Sequence, residues 1–198
     1  MRVTVERATD KPVEVISMAA GTCFGKGDVS QVSVRRVENC YLNGHLSVFE
    51  HATLSLRIEG ISRACMAQLT RHRLASYCVE SQRYNRYDLT GDDWFVKPKS
   101  FDDRPFDDFC YRDALHTCAE NYMSALKAGI RPEDARYLLP EATKTNLVMT
   151  INCRVLYHLF DMRLAKSAQW EIRELFEKIA EAVRNYDRDW AFLVDLWG

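Results

Sequence analysis

The chain of 198 residues has no C-x-x-C pair, and its cysteines, at 23, 40, 65, 78, 110, 118 and 153, are odd in number. The missing pair speaks against a thiolate zinc site, and the odd count speaks against a disulfide framework. The cysteines are expected to be reduced and to act as small hydrophobes in a cytoplasmic protein. There are 5 histidines and no H-x-x-x-H pair, so no metal site is expected. Neither sign of charge is in excess: 27 Lys+Arg face 28 Asp+Glu, for a formal net charge of −1. Such a balance sets up no global field for a nucleic-acid polymer. The longest apolar stretches, near NLVMTI and AFLV, are too short to span a membrane. The opening MRVTVERATD has no apolar run or cleavage pattern, so no signal peptide is expected.

What is present suits a globular protein. Hydrophobic residues make up 47% and charged residues 28%, enough to bury one substantial core. No linker or composition shift divides the chain, so residues 1–198 are expected to form a single α+β domain, a mixed sheet with substantial helix. Residues 12–19 (PVEVISMA) read as a strand, followed by a loop marked by Gly21, Gly25 and Gly27. A helix is expected from Asp28 to Asn43-Gly44, a strand over 52–58, punctuation at Gly60 and a helix after it. The stretch from Gly91 to Pro105 reads as loop. Asp103, Pro105, Asp107 and Asp108 then read as a helix start, with acids at the positive end of the dipole, and that helix stops at Ala128-Gly129. A short turn over 132–137, a buried strand over 146–151 and helices over NCRVLYHLFDMRLA and AQWEIRELFEKIAEAVRNYDRDW complete the reading.

One stretch stands out against the balanced charge. RHRLASYCVESQRY, residues 71–84, holds three arginines, a histidine and two serines. Cations near a helix C-terminus are ordinary capping groups, which accounts for Arg71 and Arg73. Ser76, Ser81, Gln82 and Arg83 add hydroxyls, an amide and a guanidinium on what reads as a turn-rich loop. Such a set can hold a phosphate, and a small anion needs local positive charge rather than a positive protein.

The pattern R-H-R-x-x-S-x-x-x-x-S-x-R, from Arg71 to Arg83, resembles the signature of the flavin-dependent thymidylate synthases. GHLSVFEH (44–51) is similar to that family's flavin-contacting segment, DARYLLP (134–140) to its D-A-R-x-x-L-P element, and NCR (152–154) with RLAKSAQWEIR (163–173) to its last two. Several elements in the right order are specific where one alone would be weak. The resemblance implies the conversion of dUMP to dTMP, with methylenetetrahydrofolate as carbon donor and NADPH as reductant through FAD, and no cysteine nucleophile. It implies a homotetramer with active sites shared between subunits. Gln68, Arg71, Ser81, Gln82, Arg83, Arg136 and Arg163 match dUMP-binding positions. Arg163 matches the arginine at the polar edge of the uracil, where it would favour the ionised ring. Ser47, Arg71, His72, Arg73, Asn152, Arg154 and His158 match flavin-contacting positions, with His45 and Glu50 near the flavin. Cys78 stands where the signature has Asn, Val79 where it often has an acid or amide, and His158 where many members have Asn.

Two other readings use the same residues. A flavin-free nucleotide phosphohydrolase or transferase would need a metal-carboxylate cluster, offered only by Asp102-Asp103 and Asp107-Asp108. An RNA-binding module would stack bases on Tyr84 and Tyr87 beside Arg86, but the balanced charge argues against it. No nucleic acid and no membrane are expected as partners.

Overall fold

Residues 12–19 begin a helix, not a strand. In the computed structural model, which describes residues 1–25 and 31–198, the first helix, α1, runs Pro12–Phe24 and buries Val13, Ile16, Ser17 and Ala20. That spacing has helical period, while the first eight residues alone also fit an alternating pattern. Pro12 starts the helix without losing a needed N–H, and Gly25 ends it at φ 59°, its N–H donating to the Thr22 carbonyl. The expected helix start at Asp28, like Gly27, lies outside the described residues. The next described helix, α2, is Val34–Leu42, capped by Ser33, whose side chain accepts from the Arg36 N–H.

The chain divides into two compact units, both discontinuous in sequence: Met1–Glu59, Leu69–Cys78 and Leu147–Gly198 in the first, Gly60–Gln68 and Val79–Asn146 in the second. The α+β class holds. The sheet has four strands in the order β1-β2-β4-β3, where β1 is Arg2–Ala8, β2 Thr53–Ser62, β3 Ser76–Val79 and β4 Lys144–Asn152. It is antiparallel rather than mixed, with Val3 opposite Ile58 and Val5 opposite Leu56. Neither β1 nor β3 was expected. Ser76 to Val79, read as loop, is strand because its backbone finds a partner elsewhere in the chain.

In the first unit Leu54, Leu56 and Ile58 on β2, and Leu147, Met149 and Ile151 on β4, are buried at alternate positions, the pattern of a sheet covered on one face. The helices of this unit are α1, α2, α6 (Cys153–Arg163), α7 (Trp170–Arg184) and α8 (Arg188–Trp197). Helix α7 packs on β1 and α8 on α7. Ile172, Leu175, Phe176, Ile179 and Val183 form the buried stripe of α7. The sequence reading ran α7 through Trp190. The chain instead breaks after Arg184 and restarts at Asp187, whose side chain accepts from the Trp190 N–H at 2.8 Å. An aspartate in that role is an N-cap, and it starts a new helix.

The second unit holds α3 (Arg63–Leu69, less its last residue), α4 (Pro105–Lys127) and α5 (Pro132–Ala135) around Leu89, Trp94, Phe95, Leu115, Ala119, Tyr122 and Ala135. The expected start and stop of α4 are both found. Its early aspartates are ion-paired: Asp108 with Lys97 and Arg112, Asp107 with Arg104, and Asp102, just upstream, with Lys97. Gly60 does not end its strand. It sits within β2 at φ 74°, a conformation only glycine adopts freely, and donates its N–H to Asn146 Oδ1 at 3.0 Å.

Candidate active site

The first unit carries a turn and a hollow. Arg71, His72 and Arg73 follow the end of α3. The turn is held from β3: the Tyr77 hydroxyl lies 3.0 Å from the Leu69 carbonyl oxygen and 3.2 Å from that of His72, and donates to this pair. Tyr77 is half-buried, and burial pushes its phenol up to about 12, so it remains a donor at neutral pH. Arg71 and Arg73 are exposed. Arg163, at the last turn of α6, donates Nε to His72 Nε2 at 2.9 Å. Asp161, two positions earlier, does not pair with it and accepts from Trp197 Nε1 at 2.9 Å. Burial, then Arg163 and His158, lower the pKa of His72 below its ordinary value of 6.5, so the ring is neutral at pH 7.

Helix α6 turns Val155, Leu156, Tyr157, Leu159 and Phe160 inward, and this leaves Arg154, His158 and Asp161 on its other side. Arg154 and His158 are four apart and share a face. They line a hollow of about 870 Å³ with Glu50, Asn152, Tyr41 and Trp197, among others. Asn152 caps α6: its Oδ1 accepts from the Val155 N–H at 2.9 Å, so its side-chain NH₂ is the group left to offer a ligand. Arg154 pairs with Glu50. Ser47 is exposed on the short 3-10 turn Leu46–His51 and is not among the residues that line this hollow. His45 lies edge-on to Phe24 and borders a different hollow, of about 400 Å³, with Arg35, Arg36 and Asn39. Of the flavin-side residues, Glu50, Asn152, Arg154 and His158 thus line one hollow, while Ser47 does not line it and His45 borders another. Tyr41, Asp161 and Trp197 were not anticipated.

The second unit carries a smaller hollow, of about 310 Å³, lined by Gln82, Arg136, Arg63, Met66, Tyr137 and neighbours. Gln82 is 9% exposed, and Ser81 is half-buried, its Oγ accepting from the Arg83 N–H at 3.2 Å. Arg83 Nε donates to Glu133 Oε2 at 2.7 Å, and Arg131 pairs with the other oxygen at 2.8 Å. Arg136 does not take the Glu133 carboxylate. It donates Nε to the Glu133 backbone carbonyl at 3.0 Å. A hydrogen bond from Arg83, followed by the charges of Arg131, Arg83 and Arg136, holds the Glu133 carboxyl below the usual carboxylate range against its partial desolvation. Held through Nε, both Arg83 and Arg136 keep their terminal nitrogens for an anion. Gln68, half-buried on α3, does not line this hollow.

Where the signature is altered, the structure assigns separate tasks. Glu80 accepts from Asn146 Nδ2 at 2.8 Å and donates its backbone N–H to the Asn146 carbonyl at 2.9 Å, so it secures the backbone of its own unit. Val79 is half-buried and Cys78 is exposed. A thiol nucleophile needs an activating base or a lowered pKa, and no base bonds to this one among the described residues. Cys78→Ser is expected to keep most of the activity that the resemblance implies and to change stability by no more than about 0.5 kcal/mol. Complete loss of turnover in a variant that still binds its ligands would assign the thiol to the chemistry.

Among the described residues, no group of three or more His, Cys, Asp or Glu is placed to hold a metal ion, and no helix is long and apolar enough to cross a membrane. The Asp102–Asp108 region serves the start of α4. A family model for thymidylate synthase complementing protein matches residues 4–187. The flavin-dependent thymidylate synthase of Haloarcula marismortui is 34% identical, over 94% of this chain and 92% of its own length. That of Pyrococcus furiosus is 38% identical, over 94% and 80%. A crystal structure of the flavin-dependent thymidylate synthase from Helicobacter pylori, complexed with FAD and dUMP, superposes with a TM-score of 0.75 at 25% identity, over 92% of this chain and 93% of that one. With a match that spans nearly all of its length, the chain belongs to the flavin-dependent thymidylate synthase family.

Proposed function

We infer that this protein methylates dUMP to dTMP, with FAD as its cofactor, methylenetetrahydrofolate as carbon donor and NADPH as reductant. The observation that carries the reading is family membership over nearly the whole chain, joined to ligand-sized hollows that contain the matched residues. The larger hollow suits FAD chemically. Tyr41 and Trp197 offer aromatic surface for a flat ring system, and Arg154 with the Asn152 NH₂ and His158 offers donors for a diphosphate. Its size falls in the range of about 300–1,000 Å³ usual for ligand pockets. When bound, FAD supplies the redox chemistry that turns a transferred methylene into a methyl group.

The protein's own residues bind and polarise. Ser81, Gln82, Arg83 and Arg136 hold the nucleotide, with Gln68 and Arg71 beside it. Arg163 faces the polar edge of the uracil and stabilises negative charge as it develops there. Arg71, His72, Arg73, Ser47, Asn152, Arg154 and His158 contact the flavin, with His45 and Glu50 near it. We also infer a homotetramer whose active sites take residues from more than one copy, and a cytoplasmic location. Seven free cysteines suit a reducing compartment.

The test is to purify the protein, record its visible spectrum, and assay dTMP formation from dUMP, methylenetetrahydrofolate and NADPH. Bound flavin and flavin-dependent turnover are expected. Folded protein that binds dUMP yet neither retains nor takes up FAD would sink the reading. Ser81→Ala is expected to raise KM for dUMP and leave kcat nearly intact, because the contact is made equally before and during reaction. A large fall in kcat at unchanged KM would move Ser81 into the chemical step.

A further inference from the structure

Arg163 differs from the other arginines whose Nε is engaged by a side chain. Among the described residues, Arg2, Arg57, Arg83, Arg112, Arg173 and Arg184 each direct Nε to a carboxylate. Arg163 alone directs it to an imidazole, at 2.9 Å. It is half-buried, and among the described residues no carboxylate pairs with it. An arginine N–H can only donate, so His72 Nε2 must be the acceptor, which puts the ring in its neutral form with the proton on Nδ1. The backbone that carries the ring is held in place, because the His72 carbonyl accepts from both the Tyr77 hydroxyl and the Ala75 N–H.

We propose that His72 is a positioning residue for Arg163: its neutral imidazole fixes the guanidinium through Nε and leaves the two terminal nitrogens, with their full charge, for the polar edge of the uracil. A carboxylate in the same place would orient the fork equally well but would cancel the charge that the developing anion needs. The arrangement also leaves Nδ1–H as the only ring donor, so any hydrogen bond that His72 gives to the flavin comes from Nδ1. This inference rests on the thymidylate synthase reading and deepens it.

A protonated imidazole cannot accept, so acid releases Arg163. The groups facing His72 are Arg163 and His158 from α6, with Arg71 and Arg73 on either side of it in the turn and the Tyr77 hydroxyl on its carbonyl from β3. The two α6 groups disfavour protonation, as burial does. The release therefore falls below the ordinary histidine value of 6.5, and neutral pH leaves the contact intact.

The experiment compares the parent with His72→Gln and His72→Ala at saturating FAD, with flavin occupancy read from absorbance. Equilibrium dUMP binding and single-turnover dTMP formation are measured at several pH values from 5 to 8. Gln reaches about as far as His, offers an oxygen as acceptor and does not titrate. The dUMP phosphate, which titrates near about 6, is common to all three proteins, so the differences between profiles are the readout. In the parent, affinity and rate should fall in acid by more than in His72→Gln, whose neutral-pH rate should exceed that of His72→Ala. His72→Ala should lose about a hundredfold in rate at every pH, the scale of a misplaced reacting group. The proposal is overturned if His72→Gln retains the full acid loss of the parent, or if flavin-loaded His72→Ala matches the parent in both measurements. A parent that binds dUMP but makes no dTMP at any pH sinks the thymidylate synthase reading instead, and the dUMP titration then decides the His72–Arg163 contact by itself.

Discussion

Arg163→Ala is expected to lower single-turnover dTMP formation about a hundred- to thousandfold while FAD stays bound. The size follows from what is removed: a donor aimed at charge that exists in the transition state and not in the free nucleotide. The side chain is half-buried, fastened through Nε to His72, and free of any carboxylate among the described residues. Its charge is therefore available to the ligand, and its geometry is set before the ligand arrives. Arg163→Lys tests fork against charge. Lysine keeps the positive charge, but it is a point donor on a flexible stem and cannot give His72 one hydrogen bond while presenting two parallel ones to the base. The lysine variant should recover only a fraction of the lost rate. The assay is single-turnover dTMP production from pre-reduced enzyme, alongside a dUMP titration. If Arg163→Lys matches the parent at saturating dUMP, Arg163 only binds, and its part in the chemistry is wrong.

Trp190→Ala is expected to cost about 3–5 kcal/mol of stability, the largest loss from any single substitution considered for the first unit. Trp190 is fully buried on α8, and its Nε1 donates to the Thr9 carbonyl at 3.2 Å, which ties the C-terminal helix to the chain just beyond β1. Truncation removes the transfer energy of a large aromatic and leaves a cavity that neighbouring helices can only partly close. Trp190→Phe should cost less, because a ring still fills much of the space and Thr9, only half-buried, can bond to water instead. Urea unfolding at one protein and one flavin concentration reads both variants, since cofactor binding and assembly each shift apparent stability. A Trp190→Ala midpoint indistinguishable from the parent would mean that α8 does not belong to the cooperative core.

The sequence by itself determined the family and much of the local structure. Pro105 with Asp107 and Asp108 marked the start of α4 and Ala128-Gly129 its end, because start and stop signals act within one helical turn. The alternation over 52–58 and the apolar run at 146–151 marked β2 and β4, and the order of the motifs pointed to dUMP, FAD and Arg163. These signals are local or are carried by residue identity, so one chain suffices to read them. Three things only the tertiary structure decided. Residues 12–19 alternate well enough for a strand, and helix α1 wins because the face completed by Ala20 finds core to bury against. Strands β1 and β3 carry weak patterns of their own and exist because their hydrogen bonds are made to partners distant in sequence. The partners of the site arginines, Glu133 for Arg83 across 50 positions and His72 for Arg163 across 91, follow from how the chain packs, and no spacing rule along the sequence encodes a contact at that range. The motif named Arg163; packing supplied the neutral imidazole that leaves its charge intact.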